Sequence, residues 1–154
     1  MITAVARAAA CTLGLAIGSS ACASTPSGSA ANGGQDAAAP TFNGCTPPMF
    51  QNGPRASTVS FGGAGGSPLF GYAPPCLRVA AGASVTFAGD FSVHPLSPGT
   101  SPTTTTAGSA NNPIARTETG TSLAVTFPTA GVYPYFCEMH YAAGMAGVVL
   151  VTAP

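Results

Sequence analysis

Polar and apolar residues alternate in Ser84-Val85-Thr86-Phe87, and again in Ser122-Leu123-Ala124-Val125-Thr126-Phe127. A period of two sends successive side chains to opposite faces of an extended chain, so both stretches read as half-buried strands. Further short β runs are predicted over residues 57–61, 77–79, 132–136 and 146–152, and the alternating stretches extend over 84–88 and 121–127. Ala81-Gly82 and Ala130-Gly131 supply turns ahead of the strands that follow them. No segment of this part of the chain keeps a helical period. The expectation is an all-β domain, a Greek-key antiparallel β-sandwich. Residues 62–75 and 96–113 read as long loops, with Thr103-Thr104-Thr105-Thr106 in the second as a mobile excursion.

Composition narrows the classes. With 20 Gly and 15 Pro in 154 residues, long helices are not expected and one domain is. Four Arg and four acidic residues give a net charge of zero, with no Lys, so nothing could neutralise a row of phosphates and nucleic-acid binding is set aside. No apolar run approaches the roughly 18 residues that a membrane-spanning helix needs. Sparse charge alone would point to disorder, but the Val, Phe, Tyr and Leu clusters of the second half supply a core.

Residues 1–23 carry Arg7, an apolar stretch and then small residues, which is the layout of a secretory signal. Ala21-Cys22-Ala23 is an A-x-A cleavage site, whereas Ser19-Ser20-Ala21-Cys22 resembles the lipobox of bacterial lipoproteins, with Cys22 as the acylated residue. The lipoprotein route is favoured, although Ser19 stands where that pattern usually has Leu. Export to the periplasm or cell envelope, with a lipid anchor, is therefore expected. Residues 24–41 are Ser, Gly, Ala, Asn and Pro with little else, and read as a flexible linker of roughly 25 Å reach. The folded domain is expected over 42–154.

Beyond Cys11 and Cys22 in the leader, the cysteines are Cys45, Cys76 and Cys137, so one of them must stay unpaired. Cys45 and Cys76 flank Pro-rich segments, while Cys137 lies among His and Met. A Cys45–Cys76 disulfide is expected, leaving Cys137 for chemistry. Closing that loop of about 30 residues removes unfolded-state entropy equivalent to about 3.5 to 4 kcal/mol.

The chemistry concentrates in Cys137-Glu138-Met139-His140-Tyr141-Ala142-Ala143-Gly144-Met145, which contains C-x2-H-x4-M. A thiolate, imidazoles and a thioether together suit copper in both oxidation states. The chain has one other histidine, His94, which follows a predicted strand and can supply a second imidazole. Taken singly, His94 could be a loop residue, Cys137 a small core residue and Met145 a gap filler; the joint spacing argues for a ligand set. Met139 is assigned to packing and Glu138 to solvent.

These residues resemble the cupredoxins, the type 1 blue copper proteins, and in particular plastocyanin and pseudoazurin. The likeness covers residues 77–152, and Tyr133-Pro134-Tyr135-Phe136-Cys137 stands at the family's aromatic strand before its Cys. It implies one copper ion held by His94, Cys137 and His140 in the equatorial plane and Met145 as the weak axial ligand. It also implies one-electron transfer at the exposed edge of His140, with an exported or membrane-bound redox protein docking on an apolar collar of Pro95, Leu96, Tyr141, Ala142, Ala143 and Met145. A monomer is expected. One departure stands out: the family commonly has Asn after its first His, with a backbone N–H aimed at the sulfur, and Pro95 has none. A copper carrier or chaperone and a metal-free interaction domain are the competing readings. Enzymatic activity is the least expected, because four protein ligands leave no open coordination position.

Overall fold

The computed structural model describes residues 41–103 and 111–154. The expected leader with Cys11 and Cys22, nearly all of the expected linker, and Thr104 to Thr106 lie outside the described residues. The strands are β1 (Gln51–Asn52), β2 (Ala56–Phe61), β3 (Tyr72–Ala73), β4 (Cys76–Ala80), β5 (Ala83–Ala88), β6 (Leu96–Pro98), β7 (Ser122–Phe127), β8 (Gly131–Cys137) and β9 (Ala146–Thr152). They form a five-stranded sheet in the order β1-β4-β9-β8-β6 and a four-stranded sheet in the order β3-β2-β5-β7.

The period-two signal is realised in β5, where Ala83, Val85 and Phe87 are buried while Ser84, Thr86 and Ala88 are only partly so. Edge strand β7 repeats it with Val125 and Phe127 inward. Strands β8 and β9 are buried over most of their length, as expected of strands with a neighbour on either side. The two sheets close on one apolar core. Phe87 meets Tyr135 edge-on at 5.0 Å between ring centres, Phe127 meets Tyr133 at 5.1 Å, and Tyr72 meets Tyr135 at 4.8 Å. Aromatic residues of this size bury the most apolar area per residue, so these contacts carry much of the stability.

Two expectations are corrected. The sheets are mixed, not wholly antiparallel: β1 with β4, β4 with β9, and β2 with β5 run parallel. Residue periodicity reports which face is buried and carries no information on strand direction. The 62–75 and 96–113 segments are also not loops throughout, since β3 pairs with β2 and β6 pairs with β8. Strands of two or three residues are too short to show a period of their own.

Cys45 and Cys76 are joined by the expected disulfide, and pack with Val148 in a small second cluster. Beside it, Asn43 donates from its side-chain amide to the carbonyls of Tyr135 at 2.7 Å and Gly147 at 2.9 Å. The turn that begins the described domain is thus fastened to both strands that carry the ligand loop.

Candidate metal centre

Strand pairing creates the site. Leu96 of β6 stands opposite Cys137, the last residue of β8, so the His94-Pro95 segment and the end of β8 are brought side by side. His94 closes a turn after β5, in which its N–H donates to the Asp90 carbonyl at 3.0 Å. The Asp90 carboxylate stabilises the same turn by accepting from the Ser92 N–H at 2.9 Å and the Ser92 hydroxyl at 2.6 Å, and these bonds hold it below the usual carboxylate range.

The loop between β8 and β9 supplies the remaining groups. It is closed by the Cys137 N–H donating to the Met145 carbonyl at 2.9 Å and by the Met145 N–H donating to the His140 carbonyl at 3.2 Å. A 3-10 turn over Tyr141–Ala143 ends at Gly144, whose φ of +86° lies in the left-handed region that glycine adopts without penalty. The loop thereby gathers its groups in one place: Cys137 and Met145 are fully buried in the same core cluster, and His140 lies partly exposed beside them.

The ligand atoms converge. Cys137 Sγ lies 4.0 Å from His94 Nδ1 and 3.5 Å from His140 Nδ1, and the donor atoms of the three residues all fall within 4.8 Å of one another. The imidazole centres are 4.6 Å apart. His94 is only 6% exposed, and burial, followed by the neighbouring His140, depresses its pKa and favours the neutral ring that can ligate. Burial pushes the Cys137 thiol up, while the backbone N–H groups of His140 and Met139 act in the opposite direction by bonding to the sulfur. Pro95 cannot add a further N–H, and its carbonyl instead accepts from the Glu138 N–H at 3.0 Å.

A buried thiol between two imidazoles, with no carboxylate in the cluster, is a borderline-to-soft donor set. It fits copper better than a hard cation that demands oxygen ligands. Cys137 is the free cysteine among the described residues, as the cysteine arithmetic predicts.

Several surrounding residues differ from expectation. Met139 is 67% exposed, because the ligand loop turns its side chain outward; it does not pack. Glu138 is not simply solvated: its carboxylate accepts from Arg116 Nε at 2.5 Å and Nη2 at 2.7 Å, and also from the Ser97 hydroxyl, and these partners hold its pKa down. Of the expected collar, Tyr141, Ala142 and Ala143 are exposed, whereas Pro95, Leu96 and Met145 are buried beneath it.

Two neighbours were missed by the sequence reading. Phe70, 54% exposed, lies over the His140 ring at 4.7 Å between centres and 34° between planes, and 6.4 Å from the His94 ring. Gly62, with φ of +63°, lies so close to His94 that a Cβ would come within 2.8 Å of Cδ2 and 2.9 Å of Nε2. The adjacent pair Leu69-Phe70 inside a Gly/Pro-rich loop was the available signal for the first, since two large apolar residues in such a loop need a partner or a purpose.

The profile of the family described as "Copper binding proteins, plastocyanin/azurin family" matches residues 57–152. The chain is 36% identical over 102 residues to the chloroplastic plastocyanin of Physcomitrium patens, covering 64% of this chain and 59% of that protein, so it spans about three-fifths of the relative's length. Among solved structures it is similar to the pseudoazurin of Methylobacterium extorquens, at 24% identity and a TM-score of 0.45 over 62% of this chain and 74% of that one. It is also similar to a purple cupredoxin from Nitrosopumilus maritimus, at 23% identity and a TM-score of 0.43 over 62% of this chain and 99% of that one. With the profile spanning both histidines, the cysteine and the strands that bring them together, the chain belongs to the plastocyanin/azurin family of copper-binding proteins, and copper is its cofactor.

Proposed function

We propose that this protein is an exported blue-copper electron carrier, in which His94, Cys137 and His140, together with Met145, would hold the copper ion. The observation that carries the reading is the convergence of three donor atoms within 4.8 Å in a site whose thiol is fully buried while one imidazole reaches the surface. Bound copper supplies a one-electron Cu(II)/Cu(I) couple. The chain's own residues do the rest. Cys137 and His94 are fixed by strand pairing and burial, so the donor set changes little between oxidation states. Phe70 and His140 form the ring pair through which a partner gains close approach. Met145, buried beside Cys137, offers the thioether as a weak fourth donor.

Docking is assigned to the apolar face around His140: Phe70, Tyr141, Ala142 and Ala143, with the exposed Leu69 and Val93 next in sequence to Phe70 and His94. The partner is another exported or membrane-bound redox protein, met by a monomer held to the membrane through acylated Cys22. With only three Arg and four acidic residues left from Cys22 onward, the protein gains little from long-range steering, so contact rests on this apolar face. The site is not assigned an enzymatic reaction, because no open ligand position is left for a substrate.

The test is repeated redox cycling in the presence of a copper chelator. Stoichiometric reduction and reoxidation with full retention of copper over many cycles supports an electron carrier. Transfer of copper to the chelator on reduction would oppose it and favour a copper-handling role.

A further inference from the structure

Six charged residues occur among the described residues, and Arg116, Glu118 and Glu138 converge in one place. Arg116 grips the Glu138 carboxylate through Nε and Nη2, at 2.5 and 2.7 Å, and holds Glu118 through Nη1 at 2.6 Å. The hydroxyl of the buried Ser97 donates to the same Glu138 carboxylate. Each partner comes from a different part of the chain. Glu138 directly follows the Cys137 ligand, Ser97 lies three residues after the His94 ligand, and Arg116 belongs to a segment fastened to β6 by reciprocal Leu96–Thr117 backbone bonds of 2.9 Å. A second tie runs in parallel, from the Glu138 N–H to the Pro95 carbonyl at 3.0 Å.

We propose that Arg116 and Glu138 are positioning residues for the metal centre: the carboxylate, held by Arg116 and Ser97, clamps the Cys137–His140 turn onto the segment that carries His94. The inference rests on the copper-site reading above. The clamp matters because the next two residues of that turn, Met139 and His140, carry the backbone N–H groups that favour the Cys137 thiolate, and the same turn sets His140 Nδ1 3.5 Å from the sulfur. Hydrogen bonds to a ligating thiolate withdraw electron density and favour the reduced metal. Pro95 can add no such bond from the other side, so the sulfur depends on the turn for them. An exposed ion pair usually contributes little to stability. The value of this one lies in holding a turn whose geometry the sulfur senses.

The sign of one substitution separates positioning from simple charge. Glu138→Ala removes a negative charge near the metal, which by itself raises the reduction potential. If the clamp is lost and the N–H groups turn away, the potential falls instead. The experiment compares wild type, Glu138→Ala, Arg116→Ala and the conservative Glu138→Gln. Amide hydrogen exchange is read at Met139 and His140 in the metal-free protein, and the reduction potential is read after copper loading. We expect tenfold or greater acceleration of exchange at both amides in the two alanine variants, unaltered exchange in β4 and β9, a lowered potential for Glu138→Ala, and near-wild-type exchange in Glu138→Gln. Unchanged exchange at Met139 and His140, or a raised potential for Glu138→Ala, overturns the proposal. Failure of the wild-type protein to form a thiolate–copper band would overturn the copper reading, while the exchange comparison on metal-free protein still decides the clamp.

Discussion

Gly62→Ala isolates the contact that seats the His94 ring. Two costs are involved, and a control separates them. The backbone cost arises because Gly62 has φ of +63°, where an L-residue loses about 1 to 2 kcal/mol. Gly66, in the same loop with φ of +79° and nothing within 4 Å of its would-be Cβ, carries that cost alone. The second cost is steric. The new methyl would meet His94 Cδ2 at 2.8 Å, and reaching the 3.4 Å of ordinary contact requires the ring or the loop to shift by 0.6 Å. The ring has little room to do so, with His140 at 4.6 Å, Phe61 at 6.0 Å and Phe70 at 6.4 Å between centres. Overpacking of this kind adds about 1 to 3 kcal/mol. The shift also exceeds the tolerance of about 0.2 Å in metal–ligand distance. Urea unfolding of the metal-free protein should therefore show Gly66→Ala down by about 1 to 2 kcal/mol and Gly62→Ala down by about 2 to 5 kcal/mol. In competition titrations with Cu(II), Gly66→Ala should bind as wild type, while Gly62→Ala should weaken by tenfold or more, about 1.4 kcal/mol. Equal copper affinities for the two variants would refute the reasoning.

The remaining expectations concern the disulfide, the sulfur, the surface carboxylate and docking. Replacing Cys45 and Cys76 together by Ala opens a loop with a sequence separation of 31 and should lower stability by about 3.7 kcal/mol, with the copper spectrum retained; a loss of the spectrum at temperatures where the variant is folded would count against a purely structural bridge. Pro95→Asn, which restores an N–H beside the sulfur, should raise the reduction potential, and protein-film voltammetry showing no change or a fall would contradict that. Glu138 has a pKa depressed by Arg116 and Ser97, so its contribution to stability is present above its unfolded pKa and is lost as pH falls through the folded value. The stability gap between wild type and Glu138→Gln should accordingly be open at pH 7, begin to narrow below the unfolded glutamate pKa of about 4.3 and close as pH falls through the lower folded value, and a gap independent of pH would exclude the carboxylate as its source. Phe70→Ala should slow electron exchange with a docked protein partner while leaving the rate only weakly dependent on ionic strength; a steep salt dependence would show that charge guides docking.

Much of the architecture was legible because local pattern and burial coincide. Val85 and Phe87, and Val125 and Phe127, declare their strands through alternation, and all four lie in the core. The triad was legible for a different reason. Cys137 and His140 are fixed relative to each other by a short loop, and the chain offers only one further histidine to complete the set. What the sequence did not reveal depends on closure over long separations. Parallel pairing of β2 with β5 and of β4 with β9 follows from how the chain crosses between sheets, which no local period encodes. Phe70 reaches His140 across 70 residues of sequence, and Arg116 reaches Glu138 through a segment anchored on β6. Met139 shows the limit of an argument from spacing alone: spacing turns its side chain away from the ligand set, but does not say whether that direction leads to packing or to the surface, and the side chain lies exposed.

The central claim, a reversible one-electron copper site formed by Cys137 with two imidazoles, is tested most directly by visible absorption and EPR spectra of the protein titrated with Cu(II). The spectra should be repeated through a cycle of reduction and reoxidation, with Cys137→Ser alongside. The account predicts an intense thiolate-to-copper band and a narrow copper hyperfine splitting that saturate at one equivalent, bleach on reduction, return on reoxidation, and are absent in Cys137→Ser. A colourless protein, irreversible bleaching, or an unchanged spectrum in Cys137→Ser would contradict it.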